Sequence, residues 1–110
     1  MSTGFDLNRS KISEDTLATF IASPLGEELL DVPGVGASTK AKLIEHDITT
    51  SYQLISMYLR VCGGGMTNSE RLDAFWYYLK ELNVPGGTRS SIVYAVAEKV
   101  STMIPDLGVN

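Results

Sequence analysis

The chain holds one cysteine and one histidine, Cys62 and His46, among its 110 residues. A lone cysteine excludes an intrachain disulfide, and one cysteine with one histidine cannot assemble a structural zinc site. A reducing, intracellular setting is expected, with no metal and no cofactor. No apolar run approaches the roughly 20 residues that cross a bilayer, and the opening MSTGFDLNRSK lacks the apolar core of a secretory signal. We therefore expect a soluble protein that does not insert into a membrane. Basic residues are scarce: 9 Lys and Arg stand against 13 Asp and Glu, for a formal net charge of -4. That balance excludes diffuse attraction to nucleic acid, so any nucleic-acid site has to be local. Sustained apolar-polar alternation is also missing, which argues against half-buried strands.

What remains is helical pattern. With 44% hydrophobic residues, the chain can bury one core. The expected fold is all-α, a compact bundle of about five helices over residues 13–105, preceded by a polar tail at 1–12 and followed by a short tail at 106–110. Ser13 before Glu14 and Asp15 suits a helix N-terminus, and Leu17, Phe20 and Ile21 follow at helical spacing until Pro24. EELLDV from Glu27 reads as a brief helix, and ASTKAKLIEHD as a second one, with Ala37, Ala41, Leu43 and Ile44 inward and Asp47 as its end. Thr50 with Gln53, and Thr67 with Glu70, have the spacing of capping boxes. They introduce helices striped by Leu54, Ile55, Tyr58 and Leu59, and by Leu72, Phe75, Trp76, Leu79 and Leu82. Thr88 is expected to cap a last helix that carries Ile92, Val93, Ala95, Val96, Val100 and Ile104 and closes at Pro105.

Two glycine turns carry the candidate chemistry. In VPGVGASTKAK, Gly34 and Gly36 can reach positive φ and have no Cβ, so the amides of residues 34–39, Val35 included, can point outward together at a helix start. Such a nest suits a phosphate, helped by the hydroxyls of Ser38 and Thr39 and by the charges of Lys40 and Lys42. PGGTRSS repeats the composition with Gly86, Gly87, Thr88 and Arg89. If both turns face one side, they grip neighbouring phosphates, and such contacts read backbone and not sequence. The alternative for both is plain connection and capping between packed helices. Residues alone leave this open.

FIASPLGE at residues 20–27, the PGVG turn with KLIEHDI and Tyr52, and AFWYYLKEL at residues 74–82 together resemble the barrier-to-autointegration factors, small nuclear DNA-bridging proteins of animals. The resemblance covers roughly residues 13–104. It implies a helix-hairpin-helix, a symmetric homodimer, and one sequence-independent double-stranded DNA site per protomer. Carried onto this chain, the DNA-binding positions are those of the two turns. It also implies a dimer contact in the third helix, where Ser56 stands in place of the family's glycine, beside Ile55 and with Tyr78. A small helical partner domain and a nuclear setting follow from the same likeness, while no basic run of the nuclear-signal kind is present and a nucleoid-associated or cytoplasmic setting stays open. The family's basic first helix is replaced here by ISEDTLAT. That departure motivates the alternative of a protein-interaction module that keeps the dimeric scaffold without DNA binding.

No catalytic residue stands out. His46 at a helix end favours the negative dipole terminus, and no triad or carboxylate pair is evident by spacing. The aromatic run Phe75 to Tyr78 reads as core or subunit contact before base stacking. A non-enzymatic binding protein is the reading that follows.

Overall fold

A computed structural model describes residues 12–24, 26–61, 63 and 65–103. The expected tails, apart from Ile12, lie outside these residues, as do Cys62, Ile104 and Pro105. Among the described residues the protein is all-helical: α1 (Glu14–Ala22), a 3-10 helix (Leu29–Asp31), α2 (Ala37–Glu45), α3 (Ser51–Val61), α4 (Asn68–Glu81) and α5 (Gly86–Met103). None of these helices is long and apolar enough to cross a membrane.

Capping chemistry sets most of the boundaries. Ser13 accepts from the Thr16 amide at 3.1 Å and starts α1. Thr67 and Glu70 close a reciprocal capping box on α4, and Gln53 Oε1 accepts from the amides of Thr49 and Thr50 while Thr50 Oγ1 accepts from the Gln53 amide. α2 and α4 end alike. Asp47 (φ 64) and Asn83 (φ 66) adopt the left-handed conformation, and the next residue's amide returns to the helix, Ile48 to Leu43 O at 2.9 Å and Val84 to Leu79 O at 3.1 Å. These are Schellman closures, and both fold the following apolar residue, Ile48 or Val84, into the core.

The core forms around α5, which packs against α4, α1 and α3. Ile92, Val93, Ala95, Val96, Ala97 and Val100 are fully enclosed. Tyr58 meets Phe75 edge to face at 5.2 Å, and Phe75 stacks on Tyr78 at 6.3 Å. Such pairs add about 0.5–1.5 kcal/mol beyond the area they bury. The C-terminal end of α1 is fixed from a distance in sequence: Lys99 Nζ donates to the carbonyls of Phe20 (2.8 Å), Ile21 (3.0 Å) and Ser23. Burial holds its pKa below the ordinary value of 10.5.

Two expectations are corrected. On α2, Ala37, Ala41 and Ile44 are exposed, and the inward residues are Thr39 and Leu43. A nine-residue helix needs only one deep anchor, and the Schellman turn supplies Ile48 as the second. Thr88 is not the cap of α5, which already begins at Gly86. Its hydroxyl instead donates to Pro85 O at 2.8 Å within the first turn.

Candidate anion-binding concavity at the glycine turns

The first glycine turn is built by its proline and by the close approach of α5. The Val35 amide donates to Val32 O at 3.0 Å, Pro33 holds the second turn position, and Gly34 takes the third at φ 95, the requirement of a type II turn. A Cβ at Gly34 would lie 2.9 Å from Ser91 Cβ and 3.1 Å from Ile92 Cγ1. Glycine is therefore needed twice here, for the dihedral and for the contact with α5. Gly36 differs. It is extended (φ -100, ψ -175), has open space around it, and is the N-cap of α2 without any side-chain cap. Past it, the Lys40 amide is the first to find an acceptor, Gly36 O at 2.9 Å. The amides of Ala37, Ser38 and Thr39 thus precede the helical ladder.

At the second turn, Pro85 O accepts the amides of Thr88 (3.0 Å) and Arg89 (3.1 Å), which leaves Gly86 and Gly87 as the leading donors of α5. Both glycines are exposed, and a Cβ on Gly87 would touch nothing.

Docking Gly34 on α5 brings the two turns together. Pro33 and Gly34 from one, Gly87 and Thr88 from the other, and Ile12, Ser13 and Thr16 from the start of α1 line one open concavity of about 320 Å³. The N-termini of α1 and α5 both open onto it, and each brings part of a positive charge. Of the residues singled out in the sequence, Gly34, Gly87 and Thr88 line this space. Gly36, Ser38 and Gly86 lie exposed outside its lining. Val35 and Thr39 are buried, Thr39 to 2% exposure, so their side chains face the protein interior. The Thr39 hydroxyl assigned to phosphate above is therefore withdrawn from the candidate site, and Thr39 does not line the concavity.

Two of the expected cations, Lys40 and Arg89, are engaged elsewhere. Lys40 pairs with Glu28 at 2.8 Å. That ammonium, with the Leu30 amide, holds the Glu28 carboxyl below its ordinary pKa. Arg89 folds back: Nε donates to Val84 O at 2.7 Å, and the guanidinium lies 4.8 Å from the centre of the Trp76 ring. Lys42 is half-buried. The concavity thus relies on main-chain donors, Gly87 foremost, with few free cations beside them, since the hydroxyls of Ser13 and Thr88 already donate to Thr16 Oγ1 and Pro85 O. Sequence reasoning missed the share of α1 in this site, although SED at residues 13–15 carries the N-cap signature that marks a helix start.

Of the expected dimer positions, Ile55 is buried within the single chain, Ser56 is exposed and Tyr78 is half-buried. Among the described residues, no group of three or more His, Cys, Asp or Glu could hold a metal ion. No family model matches the chain, and no curated protein or solved structure is significantly similar to it.

Proposed function

We propose that the protein binds double-stranded DNA without regard to sequence, through main-chain N–H groups at its two glycine turns, and that a homodimer bridges two duplexes. One observation carries the reading: Gly34 of the first turn and Gly87 and Thr88 of the second line the same concavity, beside the N-terminus of α1. Amides at helix N-termini are ready donors for phosphate oxygens, and donors aimed at phosphate do not distinguish bases. The resemblance to barrier-to-autointegration factors supports the dimer and the bridging role, with Ser56 and Tyr78 as its contact region; Ile55, enclosed in the core of its own chain, is withdrawn from it. Such an activity belongs in a nucleus or nucleoid. Because Lys40 and Arg89 already have partners in the protein, few counterions are displaced on binding. The salt dependence should then correspond to roughly two to four phosphate contacts per site, where strongly basic binders make six to ten.

Gly87→Asp tests the reading without harming the fold. Its side chain enters open space, and a carboxylate in the first turn of a helix is favoured by the dipole. It also places negative charge inside the concavity. Unrelated duplexes titrated at several salt concentrations should bind the wild type equally, and Gly87→Asp should bind at least about tenfold more weakly at unchanged or higher thermal stability. Absence of any binding by the wild type at low salt, or full binding by the variant, refutes the proposal. Sizing of the same samples checks the dimer.

The second reading, a protein-interaction module on the same scaffold, is favoured by Glu14 and Asp15 in the first turn of α1, next to the concavity. Flat duplex titrations from a protein that still dimerises would select it.

A further inference from the structure

A second, larger groove lies beside the concavity and shares Thr16 and Pro33 with it. It runs between α1 and the 3-10 helix and encloses about 570 Å³, within the range of small-ligand and peptide pockets. Phe20, Pro24, Leu30 and Pro33 give it an apolar floor. Leu30 stands 47% exposed, so apolar area there is left in water. Covering such area is favourable by about 25 cal/mol per Å².

Asp15 from α1 and Asp31 from the 3-10 helix complete the lining with carboxylates. Both are exposed, and neither takes part in the neighbouring ion pair of Lys40 with Glu28. Among the described residues, the stretch around them is acidic. From residue 12 to residue 39 the sequence contains no Lys, Arg or His, while it contains Glu14, Asp15, Glu27, Glu28 and Asp31. Lys99 lies beneath this region, but it is 4% exposed and donates to three main-chain carbonyls at the end of α1.

We propose that this groove docks a basic segment of another protein: an extended peptide that seats one large apolar side chain against Phe20 and Leu30 and sets Lys or Arg beside Asp15 and Asp31. Charge complementarity selects this occupant. Nucleic acid or an anionic membrane would bring phosphate against both carboxylates. A second copy of this acidic chain would oppose the same carboxylates to its own net charge of -4. A purely apolar partner would leave both carboxylates without the counterion their position favours. The proposal does not depend on DNA binding at the neighbouring concavity.

The test uses the full chain and an acetylated, amidated octapeptide in which one leucine is flanked on each side by lysine and arginine. Titration should saturate, and the nuclear magnetic resonance shifts should concentrate at Thr19, Gly26 and Leu30. Asp15→Asn combined with Asp31→Asn should weaken binding about tenfold, the sum of two exposed charge pairs within their usual range. Replacing the peptide's leucine by glycine should cost about another tenfold. Because both aspartates and Leu30 are exposed, the variants should fold, and mapping on the wild type gives an independent readout. The proposal is overturned if no saturation is reached at millimolar peptide, or if the double variant binds as tightly as the wild type. It is equally overturned if the leucine makes no difference, if the shifts gather around Trp76 and Tyr77, or if duplex DNA shifts the groove residues in the peptide's place.

Discussion

Replacing Gly34 by alanine should damage this protein more than any other single methyl addition at its turns. Two costs are visible. At φ 95 the backbone sits where an L side chain costs about 1–2 kcal/mol. The added Cβ would also lie 2.9 Å from Ser91 Cβ, 3.1 Å from Ile92 Cγ1 and 3.2 Å from the Ile92 backbone nitrogen. Ser91 and Ile92 belong to the enclosed face of α5, so neither has space to withdraw, and overpacking of this kind costs about 1–3 kcal/mol. Together these give a loss of about 2–5 kcal/mol, a large share of the roughly 5–15 kcal/mol that stabilises an ordinary domain. Urea denaturation followed by circular dichroism measures it directly, and a drop near 3 kcal/mol should lower the melting temperature by on the order of 15 °C. Gly87→Ala is the matched control: open space surrounds its Cβ, the residue is helical, and alanine there should stabilise by about 0.5–1 kcal/mol. Opposite signs for one chemical change at two turns follow from the docking of the first turn on α5. Wild-type stability in Gly34→Ala would refute that docking, and the shared concavity would go with it.

Lys99→Met should destabilise by about 2–4 kcal/mol in the same denaturation assay, because it strips a charged donor from the carbonyls of Phe20, Ile21 and Ser23 and leaves them partly buried without it. In acid, Glu28 and Glu70 should set part of the loss of stability. Lys40 and the Leu30 amide lower the first pKa, and the amide and hydroxyl of Thr67 lower the second, both from an ordinary 4.5. A folded-state pKa below the unfolded one means stabilisation that is full above about pH 4.5 and disappears as pH falls through the folded value, so Glu70→Gln should flatten the urea-midpoint profile below pH 4.5. Glu98, whose pKa burial raises, acts in the opposite sense over the adjoining range, and Glu98→Gln should steepen the acid limb. Finally, if duplex and basic peptide occupy their neighbouring grooves together, each should tighten the other about two- to fivefold at low salt, and isothermal titration in which the peptide displaces the duplex would contradict that geometry.

Much of the fold was legible because local chemistry announces itself. The Thr67–Glu70 and Thr50–Gln53 boxes, the stripe from Leu72 to Leu82 and the apolar face of α5 are all readable at fixed spacing, and each forms as written. The inward face of α2 was not, because Thr39 looks polar and Ile44 looks apolar, while docking through Leu43 and the Schellman turn reverses their roles. The two turns were visible as candidate phosphate nests, and the glycine that is sterically required, Gly34, was among them. Their placement side by side was not deducible from composition, since it rests on Gly34 meeting Ser91 and Ile92 far along the chain. The same distance in sequence hid Lys99 at the end of α1 and the folding of Arg89 onto Trp76. A cation read from sequence is free until something remote claims it.

An acidic chain that is to hold a polyanion, as proposed, has to do so with few free side-chain cations. Side-chain charge acts over a Debye length, about 8 Å at physiological ionic strength, and at that distance a pair of charges in water is worth only about 0.5 kcal/mol. Main-chain donors act at contact. On the proposed reading, a net charge of -4 would slow the approach of DNA and weaken its non-specific hold, but would not cancel hydrogen bonds made inside a concavity. The lip formed by Thr16 and Pro33 divides the surface accordingly: helix N-termini and glycine amides lie on one side, and Asp15 and Asp31 on the other. α1 sets that division, because Ser13 and Thr16 at its start open onto the concavity while Asp15 and Phe20 line the groove. If both proposals hold, a cationic peptide in the groove would neutralise the carboxylates that oppose a phosphate across the lip. The acidic stretch that looks unsuited to DNA thereby becomes the part of the surface through which a basic partner would strengthen its binding.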